Sequence, residues 1–113
     1  MRYYETMFVV KPTLTEEERL NQVKWATEII SKNGGEVAGI GDAGVRQLAY
    51  TIRKPQKFER GHYFVLYFTG EPQTVQELER QMRYNEDILR FMTVKYETKR
   101  DIQRWEQMVQ NVQ

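Results

Sequence analysis

The sequence predicts an α+β fold in which a four-stranded antiparallel sheet carries two helices on one face. Three observations predict it. Two amphipathic helical patterns flank a central pair of β-rich runs, so helix and strand alternate instead of segregating. A β-prone run opens the chain, and another precedes its polar tail. Strong breakers, Asn33-Gly34-Gly35 and Gly70-Glu71-Pro72, mark where helix and strand exchange.

The first run, YYETMFVV, predicts a strand from about Tyr3 to Val10, ended by Lys11 and Pro12. Thr13 and Thr15 each have a glutamate three residues on, the spacing of a capping box. Glu16, Glu17 and Glu18 suit the positive end of a helix dipole. Leu20, Val23, Ala26, Thr27 and Ile30 then recur at helical spacing up to the Asn-Gly-Gly stop. From Glu36 to about Arg53 the pattern is extended, with three early glycines that predict a bulge or bend. Residues Lys54 to Arg60 read as a turn or flexible hairpin tip, and HYFVLYFT from His62 as the next strand. Pro72 suits a first helical turn, and Val75, Leu78 and Met82 form the second apolar stripe. The last strand is Ile88 to Tyr96. Right-handed crossovers place both helices on one side of this βαββαβ sandwich, a ferredoxin-like architecture. Residues 1–96 form that domain. Residues 97–113 form a tail in which Ile102, Trp105, Met108 or Val109, and Val112 predict an amphipathic helix. Trp105 either folds back onto the domain or waits for a partner.

The 113 residues suit one domain with a modest core, and 40% apolar with 29% charged residues is ordinary for a soluble globular chain. No cysteine is present, which removes disulfides and thiolate metal sites and fits a reducing compartment. The N-terminal residues lack the pattern of a secretory signal, and no run approaches a membrane span. An intracellular protein is expected. Catalysis is not: His62 and Ser31 are the single histidine and serine, and both read as structural. GIGDAG lies inside a strand pattern and so is no phosphate loop. Neither a cofactor nor a small-molecule substrate is expected.

Two features point to macromolecular partners. Two helices cover only one face of a sheet, so the strand from His62 should alternate apolar and polar residues. Instead Tyr63, Val65 and Tyr67 share one side, and Phe64, Leu66 and Phe68 the other. One large apolar set is therefore left over, a pattern that marks an interaction surface. Phe64, Leu66 and Phe68, with Leu48, Tyr50 and Trp105, are the expected partner-facing residues. The second feature is local charge within a net of only +1. Between Arg46 and Arg60 five cations, among them Arg53 and Lys54, face Glu59 alone. Arg2, Arg83, Arg90 and Lys95 border the first and last strands, which should be neighbours, so Arg2 is expected to converge with the Arg83–Arg90 region. Guanidinium groups interleaved with tyrosines suit RNA phosphates and splayed bases.

In GVRQLAYTIR, Gly44, Arg46, Leu48-Ala49-Tyr50, Ile52 and Arg53 resemble the signature of the bacterial small-subunit ribosomal protein S-six family. The resemblance extends from RYYE through GHYF to ILRFMTVK, about residues 1 to 96. It implies a ferredoxin-like fold. It also implies a heterodimer with ribosomal protein S-eighteen that binds the central domain of small-subunit ribosomal RNA in the cytoplasm. Carried over by position, Arg2, Arg83 and Arg90 would face RNA, while Asn85 stands where some relatives have a basic residue. Other readings of the residues are a ligand-sensing or enzymatic ferredoxin-like domain, and a module that homodimerises through its apolar face.

Overall fold

The computed structural model describes residues 1–54 and 56–113. Pro55, part of the expected hairpin tip, lies outside the described residues. The elements are β1 (Arg2–Val10), α1 (Glu16–Lys32), β2 (Glu36–Arg53), β3 (Lys57–Gly70), α2 (Pro72–Tyr84), β4 (Ile88–Tyr96) and α3 (Lys99–Asn111). The strands form one sheet in the order β2-β3-β1-β4, each neighbouring pair antiparallel. This is the predicted βαββαβ arrangement, with a third helix added.

Helix α1 starts where sequence and dipole agree. The Thr15 hydroxyl accepts from the Glu18 amide at 3.2 Å, and the Glu18 carboxylate accepts from the Thr15 amide at 2.8 Å. Its end needs a left-handed residue, supplied by Gly34 at φ 83°, after which the Gly35 amide donates to the Ile30 carbonyl at 2.9 Å. Val23, Ala26, Ile29 and Ile30 are its buried residues, whereas Leu20 of the predicted stripe is exposed. Helix α2 begins at Pro72 and buries Thr74, Leu78 and Met82. The Thr74 hydroxyl donates to the Asn33 carbonyl at 2.6 Å, tying the start of α2 to the end of α1.

Register assigns the faces, because directly paired antiparallel residues point to the same side. Tyr4 pairs with Phe68, Thr6 with Leu66 and Phe8 with Phe64. These side chains, except for Thr6, join Val23, Ala26, Ile29, Ile30, Leu78 and Met82 in the main core. Phe64, Leu66 and Phe68 therefore lie beneath the helices, at most 2% exposed. The expectation that they face a partner is corrected: of the strand's two apolar rows, theirs is the one the helices cover.

The second face carries Tyr3, Met7 and Val9 of β1 with Tyr63, Val65 and Tyr67 of β3. Helix α3 lies against part of it, so the reading in which Trp105 folds back onto the domain is the one realised there. Strand β3 begins at Lys57, not near His62, so Lys57 to Arg60 belong to a strand and the hairpin is longer than expected.

Candidate nucleic-acid and partner interface

One half of the second face is closed by α3. Its N-terminus repeats the capping logic of α1, with the Thr98 hydroxyl accepting from the Asp101 amide at 3.0 Å. Trp105 is 6% exposed, packs edge-on against Tyr3 with ring centroids 5.0 Å apart, and donates its indole N–H to the Tyr4 carbonyl at 2.8 Å. Tyr67 and Tyr96 complete this cluster, with Val65, Val109 and Val112 packed around it. The Tyr96 hydroxyl donates to Glu5 at 2.5 Å. Burial, followed by that carboxylate, pushes the phenol well above the ordinary tyrosine range. The placement of Trp105 on a partner surface is corrected: its ring and its N–H are both satisfied within the chain.

Two glycines make this docking possible. A Cβ at Gly39 would lie 2.9 Å from a Val112 methyl, and one at Gly41 would lie 3.3 Å from the other. The β2 edge is thus pared to backbone where the end of α3 arrives. The glycines were legible as a bend; their service to a helix more than 65 residues away was not.

The other half is covered by the far part of the β2–β3 hairpin, residues 46–61, which we call the arm. Strand β2 reaches it through two irregularities, one at Val37/Gly39 and one at Asp42/Gly44, where Gly44 takes φ 76°. A third interrupts pairing between Gln47 and Ile52. The arm bends onto the sheet at Gly61, where an added Cβ would sit 2.2 Å from a Val9 methyl. Leu48 and Phe58, both 6% exposed, close with Val9 and Leu89 into a small second core. Leu48 therefore anchors the arm, which corrects its assignment to a partner surface. Tyr50 stays 62% exposed, with the Arg90 guanidinium 5.0 Å from its ring centroid. Of the alternating residues Arg46, Leu48, Tyr50 and Ile52, the first is an exposed cation, the third an exposed ring, and the other two are inward anchors.

The cations sort into four groups. Arg46, Arg53, Lys57 and Arg60 are exposed on the arm. Arg83, at the end of α2, is exposed 5.9 Å from the Phe91 ring centroid, and Arg90 is half-buried under the arm. Lys54 differs: its ammonium donates to the Asn85 carbonyl at 3.0 Å and to the Ile88 carbonyl. Burial, followed by the nearby Lys11 charge, lowers its pKa. The reading of Lys54 as an outward phosphate ligand is corrected, because its donors are turned into the fold.

Arg2 and Lys95 belong to the opposite end. Val9 pairs with Arg90 and Tyr3 with Tyr96, so β1 and β4 run antiparallel with Arg2 and Arg90 at opposite ends. Seven residues of strand separate their levels, about 23 Å at the usual rise. The expected convergence of Arg2 with Arg83 and Arg90 is corrected: neighbouring strands are not neighbouring termini. Lys95 pairs with Tyr4 and bridges Glu97 at 2.7 Å.

Between the two covers an apolar strip stays open. Met92 and Val94 of the edge strand β4 are 54% and 40% exposed, and Met108 of α3, 38% exposed, lies against the Tyr96 hydroxyl at the end of that strand. The sequence reading missed Met92 and Val94; their alternation with Phe91 and Thr93 was the available signal. Among the described residues no group of three or more acidic, histidine or cysteine side chains could hold a metal, and no helix is long and apolar enough to cross a membrane.

Comparison with known proteins bears on these surfaces. A family described as Ribosomal protein S6 matches residues 3–95. The chain is 56% identical over 110 residues to the small ribosomal subunit protein bS6 of a Nitratiruptor species, spanning 97% of this chain and 84% of that one. It is 49% identical to the protein of the same name from Campylobacter curvus, over 99% and 77% of the two chains. A crystal structure of 30S ribosomal protein S6 from Thermotoga maritima superposes with a TM-score of 0.78 at 35% identity, over 96% of this chain and 97% of that one.

Proposed function

Because the chain belongs to the ribosomal protein S6 family and is thus a structural constituent of the small subunit of the cytoplasmic ribosome, we propose that it binds the central domain of small-subunit ribosomal RNA as one half of a heterodimer with ribosomal protein S-eighteen. Its action is architectural and non-enzymatic. The observation that carries the reading is the crowding of exposed cations at one end of the molecule: Arg46, Arg53, Lys57 and Arg60 on the arm, near Arg83 and the Arg90–Tyr50 pair. Guanidinium groups there neutralise phosphates, and the exposed rings of Tyr50 and Tyr84 offer platforms for unstacked bases. The strip of Met92, Val94 and Met108, with Tyr50 at its border, suits the apolar surface of the partner protein. Arg2 and Lys95, at the other end, form a separate and weaker contact with RNA.

Binding of a central-domain RNA fragment, with and without the partner protein, tests the reading. Arg53→Glu with Arg83→Glu should weaken RNA binding strongly and leave the melting temperature nearly unchanged, since exposed substitutions usually move stability by no more than about 0.5 kcal/mol. The affinity should also fall with salt as counterions are released. RNA binding that ignores both charge reversals would exclude this end as the contact surface.

A further inference from the structure

We propose that Lys54 is a positioning residue that fixes the pose of the arm, and with it the cations presented to RNA, without itself contacting a phosphate. The inference rests on the RNA-binding reading above. The arm grows from β2 and β3, yet its tip reaches the turn between α2 and β4, across β1. From β3 that is two strand spacings, about 10 Å. The contact that completes the crossing is the Lys54 ammonium on the carbonyls of Asn85 and Ile88. Ile88 opens the edge strand β4, and Asn85 caps α2 with a carbonyl that already accepts from the Ile88 amide at 3.2 Å, so Lys54 adds a second donor to a closed turn.

Among the described residues, Lys54 is the one hydrogen-bonding element of this clasp. Lys11 lies 5.7 Å from the Phe58 ring and Arg90 lies 5.0 Å from the Tyr50 ring, so two further cations hold the arm through aromatic faces. Asn85, which supplies one carbonyl, is held in turn: its side-chain Nδ2 donates to the Gln22 side-chain oxygen at 2.7 Å, and its side-chain oxygen accepts from the Asp87 amide at 2.9 Å. The acceptor turn is therefore rigid, and Lys54 transmits that rigidity to an arm whose own pairing is interrupted between Gln47 and Ile52. Arg53, one residue earlier, is exposed. Adjacent cations in the sequence thus have opposite tasks, one directed inward and one outward.

The test combines hydrogen exchange of the free protein with RNA titration at several salt concentrations, using a central-domain fragment in the presence of the partner protein. Lys54→Met should speed exchange of amides in residues 47–54 and 56–58 and weaken RNA binding. The loss is about tenfold if the posed arm falls to about a tenth of the population. The slope of affinity against salt should not change, because no phosphate contact is removed. Lys54→Arg, which keeps donors for both carbonyls, should restore exchange and affinity. Arg53→Gln should do the reverse, flattening the salt slope by about 0.7–0.9 per lost phosphate contact while leaving exchange alone. A Lys54→Met protein with unchanged exchange and a flattened slope would overturn the proposal. If the wild-type chain does not bind the RNA, the functional reading falls, and the exchange comparison alone still decides whether Lys54 holds the arm. Should Lys54→Met not fold, Lys54→Gln takes its place in the same comparison.

Discussion

The two halves of the sheet's second face are covered by contrasting means. Under α3 the contact is aromatic and aliphatic, anchored by Trp105 and closed by a hydrogen bond to the backbone of β1. Under the arm the apolar layer is thin, Leu48 and Phe58 on Val9 and Leu89, and cations at its margin pin it down. A helix with one deeply buried ring gains most of its hold from area removed from water. An arm held at its rim by charge gains less, but it keeps guanidinium groups at the surface. The first cover serves stability; the second trades stability for presentation.

The largest effect should come from breaking the first cover. Trp105→Ala removes a buried ring and its hydrogen bond and should cost about 3–5 kcal/mol, read by urea unfolding. A change below 1 kcal/mol would mean that α3 adds little to the fold. Next comes the hinge of the second cover. Gly61→Ala forces a methyl into Val9 and should cost about 1–3 kcal/mol by overpacking, with chemical-shift changes centred on Val9, Leu48 and Leu89. If those shifts were scattered over α3 instead, the two halves would not be independent. A milder effect is expected at Gly39→Ala, where the clashing atom is a side-chain methyl near the chain end. The last turn of α3 should exchange faster while stability falls by no more than about 1 kcal/mol.

The smallest effect sharpens the comparison at the β2 edge. Asp42 accepts from His62 Nε2 at 2.6 Å and from the Gly44 amide at 2.9 Å. Burial raises its pKa, but the His62 hydrogen bond and the Gly44 amide outweigh that and hold the carboxyl below its usual 3.8. A carboxyl with a depressed folded pKa contributes stability above its unfolded value and loses it as pH falls through the folded value. Asp42→Asn should therefore narrow the gap between variant and wild type below about pH 4 and leave a small deficit at pH 7, measured by melting temperature across that range.

The sequence made the element order readable because caps, glycine stops and periodicity agree at each boundary. The choice of face was less readable. His62 to Thr69 is apolar on both sides, so nothing local distinguishes Phe64-Leu66-Phe68 from Tyr63-Val65-Tyr67; the register against Tyr4, Thr6 and Phe8 decides it. The tail stripe announced a helix, but the glycines at 39 and 41 read only as a bend, so where it would dock was not legible. Among the cations, identity and number were plain from the sequence, but direction was not. Lys54 looks like Arg53 in one dimension and differs because a turn more than thirty residues later offers it two carbonyls.

The bond from Trp105 to the Tyr4 carbonyl joins positions 101 residues apart. A nascent chain emits Tyr4 101 residues before Trp105, an interval of roughly 5–20 s at usual elongation rates. Tyr3 waits nearly the whole interval for its cover, whereas Tyr67 and Tyr96, made later, wait less. Synthesis order thus leaves this side of the sheet sticky until α3 emerges, and any helper that shields nascent chains would find its target there.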